Sequence, residues 1–474
     1  MIKYVCVSDL HFGAATSLMT YLHPNSLKID PQKPSAALVE WVNCLEEILS
    51  KTNPKGSPKP TLILNGDIME LALSNTNETA MSFDQFIRLI FPSDKSPEEW
   101  LFAPHMVFLP GNHDHHLWEK ARETQYTEYI KTLPIDESLP IPWHVTNMYK
   151  SPPSIPCDFM NGVIHRYPIL KEANVRVSTM YPNYMVTNEN QTKGIVFSHG
   201  HYIESLYMLM SELKTMIFPD RLIPQNIWDI EAENFAWIDF FWSTMGRSGE
   251  VGKDVEIIYN KMQDKDALLQ LTNNMAESIA ERMQKNVVKE VITEHSLKWI
   301  LGELALKVAT SERGFSTDVL DEKTKKGLKE FVERPLLLQM KGEIKQIPSN
   351  LSFIFGHTHK PFEKMMVFDG FPQAVKVYND GGWVVDTIQE QKYHGGAIIL
   401  VDDNLDCVSV RMYNEGTYKI STAEAKYDSD THSEFFNILS SMIDCSQEPY
   451  ASLCKTMNEE VRLRYKYLDE MVKS

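Results

Sequence analysis

Five short segments carry side chains able to bind metal: Asp9 with His11, Asp67, Asn112-His113-Asp114, His199 with His201, and His357 with His359. Each follows a short run of aliphatic and β-branched residues: KYVCVSDLH, TLILNGD, HMVFLPGNHD, GIVFSHGH and LSFIFGHTH. In extended chain, residues i and i+2 point the same way. The D-x-H and H-x-H spacings therefore let each pair embrace one ion or two neighbouring ones. Taken singly, most of these pieces are ordinary: a D-x-H after a strand is usually a turn, and Gly66-Asp67 says little. GHTH is stronger, because two histidines at a strand end have little structural use. Five in succession, each at the end of a strand-like run, are not a coincidence. Carboxylate, amide and imidazole are ligands that accept several divalent ions.

The elements that must position these residues can be read from the same runs. Each run has the length of a buried strand and stops at a turn signal. Ligands of open α/β sheets gather beyond the carboxyl ends of strands, so five such ends converge. Between the first two strands, AALVEWVNCLEEILS has apolar residues at helical spacing, a strand–helix–strand opening. AVKVYN, GGAIILVDD and CVSVRMY are further strands, the last two a hairpin around Asp403 and Asn404. Residues 115–193, rich in Pro and aromatics, are expected as loops and edge strands. Residues 202–350 are helical in pattern, with 254–284 and 293–311 the strongest stretches. They are expected as an inserted cap. Residues 419–474 carry two more helical patterns, expected to pack on the core.

Bulk properties limit the functional classes. At 474 residues with 43% hydrophobic content, a substantial core is available, in roughly two to four domains. A net charge of -17 disfavours nucleic acid, whose phosphates need clustered Lys and Arg. It leaves room for a small phosphorylated substrate, since bound ions can supply positive charge locally. The six cysteines include no C-x-x-C pair and are expected to be reduced thiols. The first apolar run is too short for a signal peptide and leads directly into Asp9 and His11. No stretch reaches the ~18 apolar residues of a membrane span, so a cytoplasmic protein without a membrane span is expected.

D-x-H, G-D, G-N-H-D, H-G-H and G-H-T-H, in this order, resemble the signature of the calcineurin-like metallophosphoesterases. The resemblance covers about residues 1–114, 194–201 and 351–411. It implies an α/β fold, a four-layer αββα sandwich, and leaves unexplained the large helical insertion and the tail that the apolar spacing suggests. The core occupies 1–201 and 351–418, the cap 202–350, and a C-terminal helical extension 419–474. It also implies a binuclear-metal-dependent phosphoesterase, acting on monoesters, diesters or pyrophosphates through a metal-bridging hydroxide. One ion falls to Asp9, His11, Asp67 and His359, the other to Asp67, Asn112, His199 and His357. Manganese is the first choice, with iron, zinc, nickel or cobalt as alternatives. His113 is the implied general acid, oriented by Asp114. NDGGW, with Asn379 and Gly381, resembles the family's late Asn-x-Gly turn. His199 and His201 are not distinguished by the residues themselves.

Departures from subfamily patterns narrow the branch. The chain has GDIMEL and GNHD where the protein Ser/Thr phosphatases carry GDxxDRG and GNHE. It has Glu70 where purple acid phosphatases have tyrosine. G-D-x-x-E resembles the bacterial UDP-diacylglucosamine pyrophosphohydrolases, which usually have Arg in place of His113. Repair exonucleases share the GNHD-type motif, but the acidity disfavours DNA. In the cap, YIESLYMLMSELKTMIF and NIWDIEAENFAWIDFFWSTMGRSG are dense in Met, Trp and Phe. Internal packing explains them, as would an apolar substrate groove or a homodimer contact. Arg247 and Lys253 are candidates for a distal phosphate, and His115 and His116 for substrate contact. The reading from a different class is a non-catalytic metal-binding scaffold of the same fold. Scaffolds lose ligand histidines, and none is missing here.

Overall fold

The computed structural model describes residues 1–149, 155–218, 220–244 and 319–473. Two sheets stack on one another with helices on their outer faces. The larger sheet runs Ser421–Ala423, Cys407–Asn414, Gly395–Asp402, Ile2–Val7, Thr61–Leu64, His105–Phe108, Arg176–Thr179 and Ile155–Pro156. The smaller runs Phe362–Met366, Val375–Asn379, Asn350–Phe355, Lys193–Ser198 and Asn183–Thr187. All five motif-bearing strands are present where the sequence puts them. Ile2–Val7, Thr61–Leu64 and His105–Phe108 are parallel neighbours, as are Lys193–Ser198 and Asn350–Phe355.

The layering follows from period-two side-chain placement. Val5, Val7, Leu62 and Leu64 face one outer core, while Cys6 and Ile63 between them face the space between the sheets. In the smaller sheet Ile195, Phe197 and Ile354 point into that shared core, and Val196, Phe353 and Phe355 point to the opposite outer core. Three hydrophobic cores separate four layers. Strands buried on both faces read as unbroken apolar runs, which is why these five stand out in the sequence.

Helix Ala36–Thr52 covers the first outer core. Ser35 caps it by accepting from Leu38 N–H at 3.0 Å, and Leu38, Trp41, Val42, Leu45, Ile48 and Leu49 form its buried stripe. Helix Tyr450–Lys473 enters the same core through Leu453, Met457 and Val461. Its buried Arg464 donates to the carbonyl of Ser17 at 2.7 Å and pairs with Glu460.

One stretch differs from its sequence reading. A helix spans His115–Ile130 where loops and edge strands are expected. Only His115, Leu117, Trp118, Ala121 and Arg122 of it are buried, so its last two turns carry no apolar stripe for periodicity to detect. The described parts of 202–350 contain helices Leu209–Ile217, Ile227–Ile238, Glu322–Phe331 and Leu337–Glu343. The patterns at 254–284 and 293–311, with His295, Arg247 and Lys253, lie outside the described residues.

Candidate metal centre

The five strand ends meet because the two sheets bond to each other at this edge. Asn65 Nδ2 donates to Ser198 O, and His357 N–H to Asp9 Oδ2, both at 3.0 Å. Asp9 N–H donates to Gly66 O, and His11 N–H to Asp67 O, both at 2.9 Å. Asp9, His11, Asp67, His357 and His359 all adopt left-handed backbone, with φ between 45° and 70°. Non-glycine residues hold that conformation at a cost of about 1–3 kcal/mol each, and typically at functional sites. Gly66 is needed where it is: its φ is +91°, and a Cβ there would lie 2.3 Å from His199 Nδ1.

Two groups of side chains converge, Asp9 with His11 and His359, and Asp67 with His199 and His357, the atoms of each within 4.8 Å of one another. Asp67 Oδ2 connects them, 3.9 Å from His11 Nε2 and 3.3 Å from His199 Nε2. Asn112 Oδ1 lies 3.1 Å from His199 Nε2. His113 adjoins the first group, its ring centroid 4.8 Å from that of His11. His199 thus stands at the centre. His201 stands behind it, with Nε2 3.2 Å from the Tyr181 hydroxyl.

A layer of oxygen acceptors holds the imidazoles from outside. Glu70 Oε2 accepts from His11 Nδ1 and Glu70 Oε1 from His113 Nδ1, both at 3.0 Å. Asp386 Oδ2 accepts from His359 Nδ1 at 2.7 Å, and Asn65 O from His199 Nδ1 at 3.0 Å. Each leaves Nε2 for the centre, the arrangement that fixes ligand tautomers. The expectation that Asp114 orients His113 is corrected here. Its carboxylate accepts from the backbone N–H groups of Asp67, Ile68, Met69 and Gly111, at 2.7–3.3 Å, so it shapes the turn carrying Asp67. Glu70 orients His113. Asn379, as the turn reading suggests, braces its loop: it accepts from Gly381 N–H at 2.8 Å and donates to Gly356 O at 2.7 Å.

Buried carboxylates and imidazoles shift one another's ionisation here. Burial alone would raise the Asp67 carboxyl, but His199 and His113 beside it hold it well below the usual carboxylate range. Burial would lower His199, yet the Asp67 charge pushes it up to about 9. His359, also opposed by burial, is pushed up to about 10 by Asp386. Among the described residues no group hydrogen-bonds to Asp9 Oδ1 or His11 Nε2, both buried. A buried polar atom left unpaired costs about 1–3 kcal/mol. Divalent ions among these groups would pair the orphaned atoms, so the donor set fits a metal pair.

The calcineurin-like phosphoesterase family model matches residues 2–239. The chain belongs to that family. No curated protein matches the sequence. The match takes in Asp9, His11, Asp67, Asn112, His113 and His199. His357 and His359 lie beyond it and reach the centre through the pairing of Asn350–Phe355 with Lys193–Ser198. A metallophosphoesterase core of this kind is mostly found in phosphoric ester hydrolases, and its His and Asp clusters suit divalent ions.

Residues between His201 and Thr244 add an aromatic wall beside the centre. Trp242 lies 6.2 Å from the His113 ring and 5.7 Å from Tyr207, which lies 5.2 Å from His357. Both aromatics are buried. Ser243 Oγ donates to Asn112 O at 2.6 Å. His115 and His116 hold this wall in place. His115 Nε2 is 2.9 Å from Glu231 Oε1, and His116 Nδ1 is 3.0 Å from Asp239 Oδ1. Glu231, wholly inside the protein, also accepts from the hydroxyls of Tyr181 and Tyr202. Phe218, Leu222 and Phe240 remain exposed. Among the described residues no helix is long and apolar enough to cross a membrane.

Proposed function

We propose that this chain hydrolyses a small phosphorylated substrate at a binuclear metal centre, with manganese as the first-choice ion. The observation that carries the reading is the Asp67 carboxylate set between two groups of acidic and imidazole atoms, beside the buried and unpaired Asp9 Oδ1 and His11 Nε2. Asp9, His11, Asp67 and His359 would hold one ion, and Asp67, Asn112, His199 and His357 the other. Bound there, the pair would polarise phosphoryl oxygens and lower the pKa of water. The chain's own residues supply the rest. Glu70 fixes the His113 ring through Nδ1, and Nε2 would place a proton on the departing oxygen, which general acids assist by about 10²–10⁴-fold. Trp242 and Tyr207 form an apolar wall beside His113 and His357, which limits competing water.

The test is metal content together with turnover of bis-aryl and mono-aryl phosphates in Mn, Ni, Co or Zn. Two bound ions with hydrolysis of either class support the reading, and the ratio of the two rates decides between diester and monoester. Two bound ions without hydrolysis of any phosphate ester would favour the scaffold alternative. A protein binding no ion would refute both.

A further inference from the structure

His357 differs from the other imidazoles of the centre. His11, His113, His199 and His359 each have Nδ1 held by an oxygen acceptor. His357 instead turns Nε2 outward, 3.7 Å from Glu204 Oε1. Among the described residues, His357 Nε2 and Glu204 Oε2 have no hydrogen-bond partner. Both side chains are more than nine-tenths buried. Glu204 belongs to neither ligand group, nor to the close group of His11, Glu70 and His113, so it addresses the ring and not the ion position.

We propose that Glu204 is a positioning residue for His357: its carboxylate accepts the Nε2 proton and presents Nδ1 to the ion shared with Asp67, Asn112 and His199. This rests on the binuclear reading above. The chemistry is that of a carboxylate–histidine–metal relay, in which the outer acceptor fixes the tautomer and raises ligand basicity. His357 is thereby the member of the set that binds through Nδ1, with its outer acceptor supplied by the insertion. Glu204 follows directly on the turn His201–Ile203 and lines a cavity of about 310 Å³ with Tyr202, Ile203, Lys326 and Arg334. One carboxylate therefore joins the wall of that cavity to a metal ligand.

The experiment titrates full-length wild type, E204A, E204D and E204Q with Mn(II) by calorimetry and with Co(II) by its visible absorption. Thermal melts of the same samples check folding. Wild type should bind two ions. E204A should keep one at wild-type affinity and bind the other about 10–100-fold more weakly, with altered Co(II) bands for that ion alone. E204Q retains an acceptor oxygen and should recover most of the affinity. E204D should weaken the same ion by less than E204A, which keeps the test open if E204A folds poorly. Wild type binding two ions, with E204A and E204D unchanged in affinity and Co(II) spectrum, overturns this inference alone. Wild type binding fewer than two overturns the binuclear reading and this inference with it.

Discussion

Replacing Glu70 with Gln should weaken one metal ion and leave the other in place. Glu70 Oε1 accepts from His113 Nδ1 and from the backbone of Ala72 and Leu73, while Oε2 accepts from His11 Nδ1 alone. The glutamine carbonyl will therefore take the Oε1 position, where three donors await it, and its NH2 group will face His11. Two donors cannot meet there. His11 must move its proton to Nε2, the atom 3.9 Å from both Asp9 Oδ1 and Asp67 Oδ2, and a protonated nitrogen binds no ion. Loss of such an outer partner costs about 10–100-fold in metal affinity, or about 1.4–2.8 kcal/mol. Only the ion of Asp9, His11 and His359 should be affected, since His199 and His357 do not touch Glu70. Calorimetric titration with Mn(II) reads the two affinities separately, and turnover should return when that ion is raised to saturation. E70Q with two wild-type affinities would refute the tautomer argument. Loss of the His199 ion instead would show that Glu70 acts through the fold.

Three other perturbations separate the roles of neighbouring residues. H113A should lower kcat by about 10²–10⁴-fold with metal content unchanged, and loss of metal would show that His113 is not the acid. Dialysis against a chelator should lower the melting temperature, because each ion at a thousandfold its Kd adds about 4.1 kcal/mol to the folded state; a melt indifferent to metal would contradict the orphaned-donor argument. E231A strips a shared acceptor from His115, Tyr181 and Tyr202. With about 1–3 kcal/mol for a buried group left unpaired, it should cost at least ~2 kcal/mol in urea unfolding, and a loss under ~0.5 kcal/mol would mean that Glu231 does not anchor the wall.

What could be read in the sequence follows from where each signal resides. Strand, turn and ligand lie within a dozen consecutive residues at all five motifs, so periodicity and residue type coincide and the layers follow. Helix Ala36–Thr52 carries its buried stripe along its whole length and was equally legible. The outer acceptors are not of this kind. Asp386 lies 27 residues from His359, and Glu231 lies 116 from His115; only folding makes them neighbours. Glu70 had a signal, three residues beyond Asp67, but its meaning depended on the turn that brings it back to both His11 and His113. The resemblance implies that Asp114 orients His113, its neighbour in sequence. Adjacent side chains diverge, however, and four backbone N–H groups of two turns needed an acceptor there.

The left-handed backbone at Asp9, His11, Asp67, His357 and His359 has no signature in residue type, since neither Asp nor His demands it. It arises because each strand must turn sharply enough to aim a ligand back across the sheet edge. Left-handed residues and orphaned polar atoms both raise the free energy of the metal-free centre, and both sit on the same few residues. Among the described residues nothing pairs those orphaned atoms, whereas ions held by Asp67 and its neighbours would. Backbone strain then persists in the loaded form as the cost of pre-aimed ligands, which is where a site built for rapid chemistry would retain it. The geometry at Asp67 is therefore better explained by what must bind there than by what the fold alone requires.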